Sequence, residues 1–191
     1  MQKILSRFPI CLALLWFLAS PLTAADFRLS GENLVVSGVL GSRTPGRFER
    51  IMADNPQITR LVLGYIEGSE DDQAMSKMLL RVRALGLETY LLADSEIYSG
   101  GVDLFVAGKT RRMEAGAIIG VHSWSDGRRD ASDFPRTSHE HDMMRGYVAE
   151  MLGSEDWYWF TIYAAPADGM HVMTDAEIEE YGLLTSPVIN K

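Results

Sequence analysis

The sequence is short of several things. Its 191 residues include one cysteine, Cys11. A single thiol excludes a disulfide framework within the chain and any zinc site built on cysteine. Basic residues are also few: 18 Lys and Arg stand against 26 Asp and Glu, a formal net charge of −8. That balance gives no electrostatic footprint for nucleic acid or for an anionic membrane surface. No internal repeat and no low-complexity linker interrupts the chain, and its length suits one domain with a proper core. Hydrophobic content of 47% and charged content of 23% are globular values, not those of a disordered chain.

Apolar runs are short too. Residues 10–18 are all apolar, preceded by Lys3 and Arg7 and followed by Ala19-Ser20-Pro21-Leu22-Thr23-Ala24-Ala25. This is the basic start, apolar middle and small-residue end of a secretory signal peptide, and the run falls well short of the about 20 residues that a membrane span needs. No small-residue lipobox precedes Cys11. Residues 1–25 are therefore expected to be a leader, cut after Ala25 or after Ala24. A single exported domain, 26–191, would remain in the periplasm or outside the cell, without a stable membrane anchor. Losing Lys3 and Arg7 leaves 16 basic residues against 26 acidic ones, a net charge of −10, and no cysteine. Any nucleophile in that domain must be a serine rather than a cysteine.

Strand and helix patterns then alternate. Residues 33–40, 60–66, 89–93 and 117–121 are short apolar runs that read as strands. Thr44-Pro45 opens a helix with Phe48, Ile51 and Met52 on its inner face, and Asn55-Pro56 stops it. Met75, Met78, Leu79, Val82 and Leu85 mark a helix over 71–85, capped by Gly86. A short helix follows Ser99-Gly100-Gly101. Residues 128–135 read as a loop and 139–152 as a helix. The aromatic-rich 154–163 also reads as helix, and Thr174-Asp175-Ala176-Glu177 as a capping box whose helix ends at Gly182. Val188-Ile189 reads as a last strand. Strands alternating with amphipathic helices imply an α/β fold of repeated βαβ units, with a mainly parallel sheet covered by helices on both faces.

The candidate site is Ser99 with His122. Ser99 stands in Ile97-Tyr98-Ser99-Gly100-Gly101, where a strand gives way to a helix, at the end of the sheet where open α/β folds place their sites. The glycines allow close approach to the backbone, and the Gly100 amide is placed to help hold an oxyanion. His122, in Gly120-Val121-His122-Ser123, ends the next long strand and can reach the same edge as a general base. His139 and His141 sit two apart on a helix and do not share a face, which argues against a common metal. Arg111-Arg112 reads as part of a solvated edge.

These residues carry a likeness. The run 34–184 resembles the proteolytic subunit of the Clp protease and its relatives in the Clp/crotonase superfamily, above all the exported Clp-like proteins of bacteria. That family has a nucleophilic serine in a small-residue loop leading into a helix, then a histidine after the next buried strand. Ser99, the helix ending Phe105-Val106-Ala107-Gly108-Lys109, and Ala117-Ile118-Ile119-Gly120-Val121-His122 reproduce that order, with Ser99 and His122 separated by 23 positions. Met173-Thr174-Asp175-Ala176-Glu177-Ile178-Glu179-Glu180-Tyr181-Gly182-Leu183 resembles the family's closing helix.

Two departures stand out. The family's oxyanion motif, Asn-Ser-Pro-Gly-Gly, is replaced by Gly64-Tyr65-Ile66-Glu67-Gly68-Ser69. Gly68 still offers an amide, but Glu67 brings a negative charge that would oppose an oxyanion unless it points away. The register puts Met170 where the triad acid belongs, and Asp168, two residues earlier, is the candidate for orienting His122.

The resemblance implies a serine hydrolase, most simply an ATP-independent peptidase acting on peptides or unfolded chains. Ser99, His122 and Asp168 would be catalytic, with Gly68 and Gly100 as the oxyanion hole, and no cofactor or metal would be required. In Clp-like proteins the aromatic region packs near the subunit interface, so the resemblance allows a homo-oligomer. The alternative is a catalytically eroded member kept as a binding or assembly protein, which the altered oxyanion loop favours. An acyl-coenzyme A enzyme is a third reading, disfavoured because coenzyme A substrates are cytosolic.

Overall fold

The structure, a computed structural model, describes residues 24–190. Most of the expected leader, residues 1–23, lies outside them.

Strand β1 (Asp26–Ser30) turns back as an antiparallel hairpin into β2 (Asn33–Ser37). The expected strand 33–40 is two pieces, because Gly38 at φ 88° turns the chain away and β3 (Val39–Leu40) joins a separate two-stranded ribbon with β5 (Gly68–Ser69). Helix α1 (Thr44–Asp54) follows, then β4 (Arg60–Ile66) and α2 (Asp72–Ala84), whose N-cap Asp71 accepts from the Ala74 amide at 2.9 Å. The chain continues through β6 (Glu88–Tyr98), α3 (Gly100–Val106), β7 (Thr110–Met113), β8 (Ile118–Val121), α4 (Asp142–Leu152), α5 (Asp156–Ala164), β9 (His171–Val172) and α6 (Asp175–Glu180). The main sheet runs β1-β2-β4-β6-β8-β9, with β7 beside the first half of β6. All its pairs are parallel except those of β1 and β9 at the edges.

Strand β6 organises this arrangement. Residues 88–91 pair with β7 and residues 96–98 with β8. Between them the register against β4 jumps, from Leu63↔Leu91 to Tyr65↔Glu96. Buried Ser95 bridges the irregularity: its Oγ accepts from the Leu92 amide at 2.9 Å and donates to the Leu63 carbonyl at 2.6 Å. The strand expected to end near residue 93 therefore runs on to the site.

On one face Leu34, Val36, Leu61, Leu63 and Leu91 are fully buried together with Phe48, Met78 and Phe105 from the helices. The opposite row, Val35, Val62 and Tyr90 in register, is less covered, with Val35 and Tyr90 half-buried. Truncating a core ring such as Phe105 to alanine costs about 3–5 kcal/mol in lost transfer energy and cavity formation.

Three further expectations need correcting. The helix 139–152 begins as a 3-10 turn (His139–His141) before α4. Val188-Ile189 forms no strand; Ile189 makes an isolated bridge to Glu114. Arg111 is not on a solvated edge but buried, because its guanidinium donates to the carbonyls of Leu183, Gly108 and Gly182 at 2.8, 3.1 and 3.2 Å. It ties the closing segment to β7. The Thr174 capping box is present as expected, with Glu177 returning to the Thr174 amide at 2.7 Å. Among the described residues no helix is long and apolar enough to cross a membrane.

Candidate active site

Parallel pairing of β6 with β8 delivers the two candidate residues to one end of the sheet. Tyr98 is in register with Gly120, and the Ser99 amide donates to the Gly120 carbonyl at 3.1 Å. Gly120 is required there: a Cβ would lie 2.5 Å from the Tyr98 ring and 2.8 Å from Met170 Sδ. Ser99 then turns sharply into α3 with φ 50° and ψ −124°, and is the one non-glycine residue at positive φ among the described residues. Such a conformation costs about 1–3 kcal/mol and persists only where the surroundings impose it. Here the helix end does so, since the Val102 amide donates to the Ser99 carbonyl at 2.7 Å.

The glycines around Ser99 let backbone replace side chain. A Cβ on Gly100 would fall 2.5 Å from Ser69 Cβ, and one on Gly101 would fall 2.8 Å from Ile66 Cγ2. Gly68, at φ 142°, lies against the serine itself: its Cβ would be 3.2 Å from Ser99 Cβ and 3.6 Å from Ser99 Oγ. The structure thus brings Gly68, Ser99 and Gly100 together. Glu67 is half-buried, its carboxyl makes no hydrogen bond among the described residues, and it is outside the lining of the pocket described next.

Ser99 and His122 line one pocket, with no hydrogen bond between them. The His122 ring is set by its neighbour: Nδ1 lies 2.7 Å from the Ser123 carbonyl oxygen. A carbonyl only accepts, so neutral His122 carries its proton on Nδ1 and presents a free lone pair on Nε2, the tautomer a general base needs. Ser123 is fully buried and fixed in turn. Its amide donates to the Ala165 carbonyl at 2.9 Å, and its Oγ accepts from the Ala131 amide at 3.1 Å.

Asp168 occupies a turn closed by the Gly169 amide on the Pro166 carbonyl at 3.0 Å. It is exposed, makes no hydrogen bond to His122, and is outside the pocket lining. His171 bonds Glu177 at 3.0 Å rather than facing Ser99.

The same pocket holds residues that sequence reasoning missed. Asp103, one turn along α3 from Ser99, and Asp72, in the first turn of α2, both line it. Burial, and then the negative charge of Asp72, push the Asp103 carboxyl up to about 8. One signal was available: Asp103 is the sole charged residue in the otherwise apolar run Val102-Asp103-Leu104-Phe105-Val106. The far wall is Met144 and Val148 of α4 with Trp157, Tyr158 and Thr161 of α5. Tyr158 is locked there. Its Oη accepts from Trp124 Nε1 at 3.0 Å and bonds fully buried His141 Nδ1 at 2.7 Å. His141 is thus a core residue of the aromatic cluster, and no group of three or more metal-ligating side chains is found among the described residues.

No family model matches the sequence, and no curated protein matches it. Solved structures do match by shape. An enoyl-CoA hydratase from Mycobacterium avium subsp. paratuberculosis K-10 superposes with a TM-score of 0.55 at 14% identity, over 90% of this chain and 73% of that one. An enoyl-CoA hydratase/isomerase from Marinobacter aquaeolei gives 0.53 at 12% identity, over 84% and 68%. A membrane-bound stomatin-specific protease, solved as a mutant in complex with a substrate peptide, gives 0.52 at 15% identity, over 79% and 72%. At these identities the likeness is one of architecture. The chain has the crotonase-type fold, an arrangement that also carries a protease.

Proposed function

We propose that the protein is a serine hydrolase, most simply a peptidase that works without ATP on peptides or unfolded chains outside the cytoplasm. One observation carries this reading: Ser99, held at positive φ with the Gly68 backbone against it, shares a pocket with a His122 whose Nε2 is free to take a proton. In the reaction, Ser99 Oγ attacks the substrate carbonyl as His122 Nε2 removes its proton, a contribution of about 10²–10⁴ in rate. The amides of Gly68 and Gly100 hold the oxyanion. His122 then protonates the leaving group, and water repeats the sequence on the acyl-enzyme. The Ser123 carbonyl stabilises the imidazolium without the full charge of a carboxylate, which points to slow turnover. Asp168 would have to leave its turn to supply that charge.

The enoyl-CoA hydratases of the same fold offer another reading. The Asp72 carboxylate in the pocket weighs against it, since coenzyme A esters are polyanions, and Asp103 adds a second negative charge above about pH 8. If the site is inert, the fold remains as a binding or assembly module. Fluorophosphonate labelling separates these outcomes. The 26–191 protein should label, and Ser99→Ala should not. A folded wild type that fails to label refutes the hydrolase.

A further inference from the structure

We propose that the pocket beside Ser99 selects a basic side chain, with Asp103 receiving its cationic head. This rests on the hydrolase reading and names its substrate class. Val121, Met144, Val148 and Trp157 give the pocket apolar walls, which suit the methylene stem of a lysine or arginine. At the same pocket stand Asp72 and Asp103, and no Lys or Arg is among its lining residues. Asp72 has a partner, Ser69 Oγ. The Asp103 carboxyl has no hydrogen bond or ion pair among the described residues, although the residue is half-buried on a helix whose other members are all buried.

The groups around Asp103 leave its carboxyl without a partner. Asp72 on α2 is of like sign. Tyr147 on α4 is held neutral, its ionisation pushed well above 10 by burial, and its Oη donates to the Asp103 backbone carbonyl at 2.6 Å, not to the carboxyl. His122, following β8, is committed through Nδ1 to Ser123. Arg83 on α2 spends its guanidinium on the carbonyls of Val106 and Met151, and Arg111 on β7 spends its own on Gly108, Gly182 and Leu183. A cation entering the pocket is therefore the missing partner of Asp103.

The linkage has a definite sign. Unliganded Asp103 gives up its proton near pH 8. A cation binds the carboxylate, so binding expels a proton below that pH and is pH-independent above it. Affinity should rise about tenfold from pH 6 to 7 and about fivefold from 7 to 8, and level off by 9.

The test needs no catalysis. Calorimetric titration of Ser99→Ala protein with n-butylguanidinium and with its neutral isostere n-butylurea reads selection directly. The expected result is at least tenfold preference for the guanidinium at pH 9 and a proton released on binding at pH 7. Asp103→Asn should abolish both while leaving butylurea unchanged, and Asp103→Glu should retain the preference. Equal binding of the two probes, or no binding of either, overturns the proposal. So does a guanidinium preference that survives in a folded Asp103→Asn protein. Fluorophosphonate labelling of the wild type reports on the hydrolase reading independently of all these outcomes.

Discussion

Gly68→Ala tests the geometry of the site more sharply than removal of its nucleophile. The added methyl would stand 3.2 Å from Ser99 Cβ and 3.6 Å from Ser99 Oγ, on a backbone at φ 142° that L residues rarely adopt. The backbone penalty alone is about 1–3 kcal/mol. For a domain of this size that lowers Tm by about 2–12 °C. The contact must also move either the Ser99 side chain or the Gly68 amide, and a displacement near 1 Å in a reacting group costs about a hundredfold in rate. Gly127→Ala is the control. It too has a positive φ, 85°, but its Cβ would meet nothing within 4 Å. Circular dichroism melts and fluorophosphonate labelling rates on both variants separate strain from site damage. Both should melt earlier, and only Gly68→Ala should lose labelling by at least tenfold. If it labels at the wild-type rate, the Gly68 backbone is no part of the reacting geometry and the placement argued for the oxyanion fails.

Two other expectations follow from particular contacts. Arg111→Leu leaves the carbonyls of Gly108, Gly182 and Leu183 without their donor and should destabilise the protein by about 3 kcal/mol in urea denaturation, whereas Arg112→Leu should stay within about 0.5 kcal/mol; equal effects would refute the anchoring role. Asp168→Asn should label within twofold of wild type because no contact joins Asp168 to His122, and a loss of a hundredfold or more would restore Asp168 as the orienting acid.

The serine and the histidine were legible because each is a chemically distinct residue at a strand end, and the order strand, small-residue turn, helix, strand is local. The acids were not, for reasons of packing. An aspartate in a seven-residue helix looks like its solvent face until α4 and α5 close over it, and those helices begin about 40 and about 50 residues further along. The strand β7 was hidden by composition. Thr-Arg-Arg-Met has no apolar run, and Arg111 is buried only because carbonyls some 70 residues away come to meet it. The length of β6 was masked by the irregularity at Ser95, whose hydroxyl stands in for a backbone partner no pattern reveals. Gly68 was identifiable as a lone glycine. Its position against Ser99 depends on the pairing of β3 with β5, which the break at Gly38 creates.

The two halves of the pocket have different mechanical standing. Ser99 and His122 hang from β6 and β8 at the middle of the sheet, and β6 is shared by three neighbours. Amide hydrogens in such central strands are expected to exchange only when the whole domain opens, which would hold the candidate serine and histidine still. Met144, Val148, Trp157 and Thr161 ride on two consecutive helices that follow Ser99 and His122 in the chain. Breathing, and divergence of one such protein from another in what it accepts, can therefore be confined to α4 and α5 while the strand ends stay still.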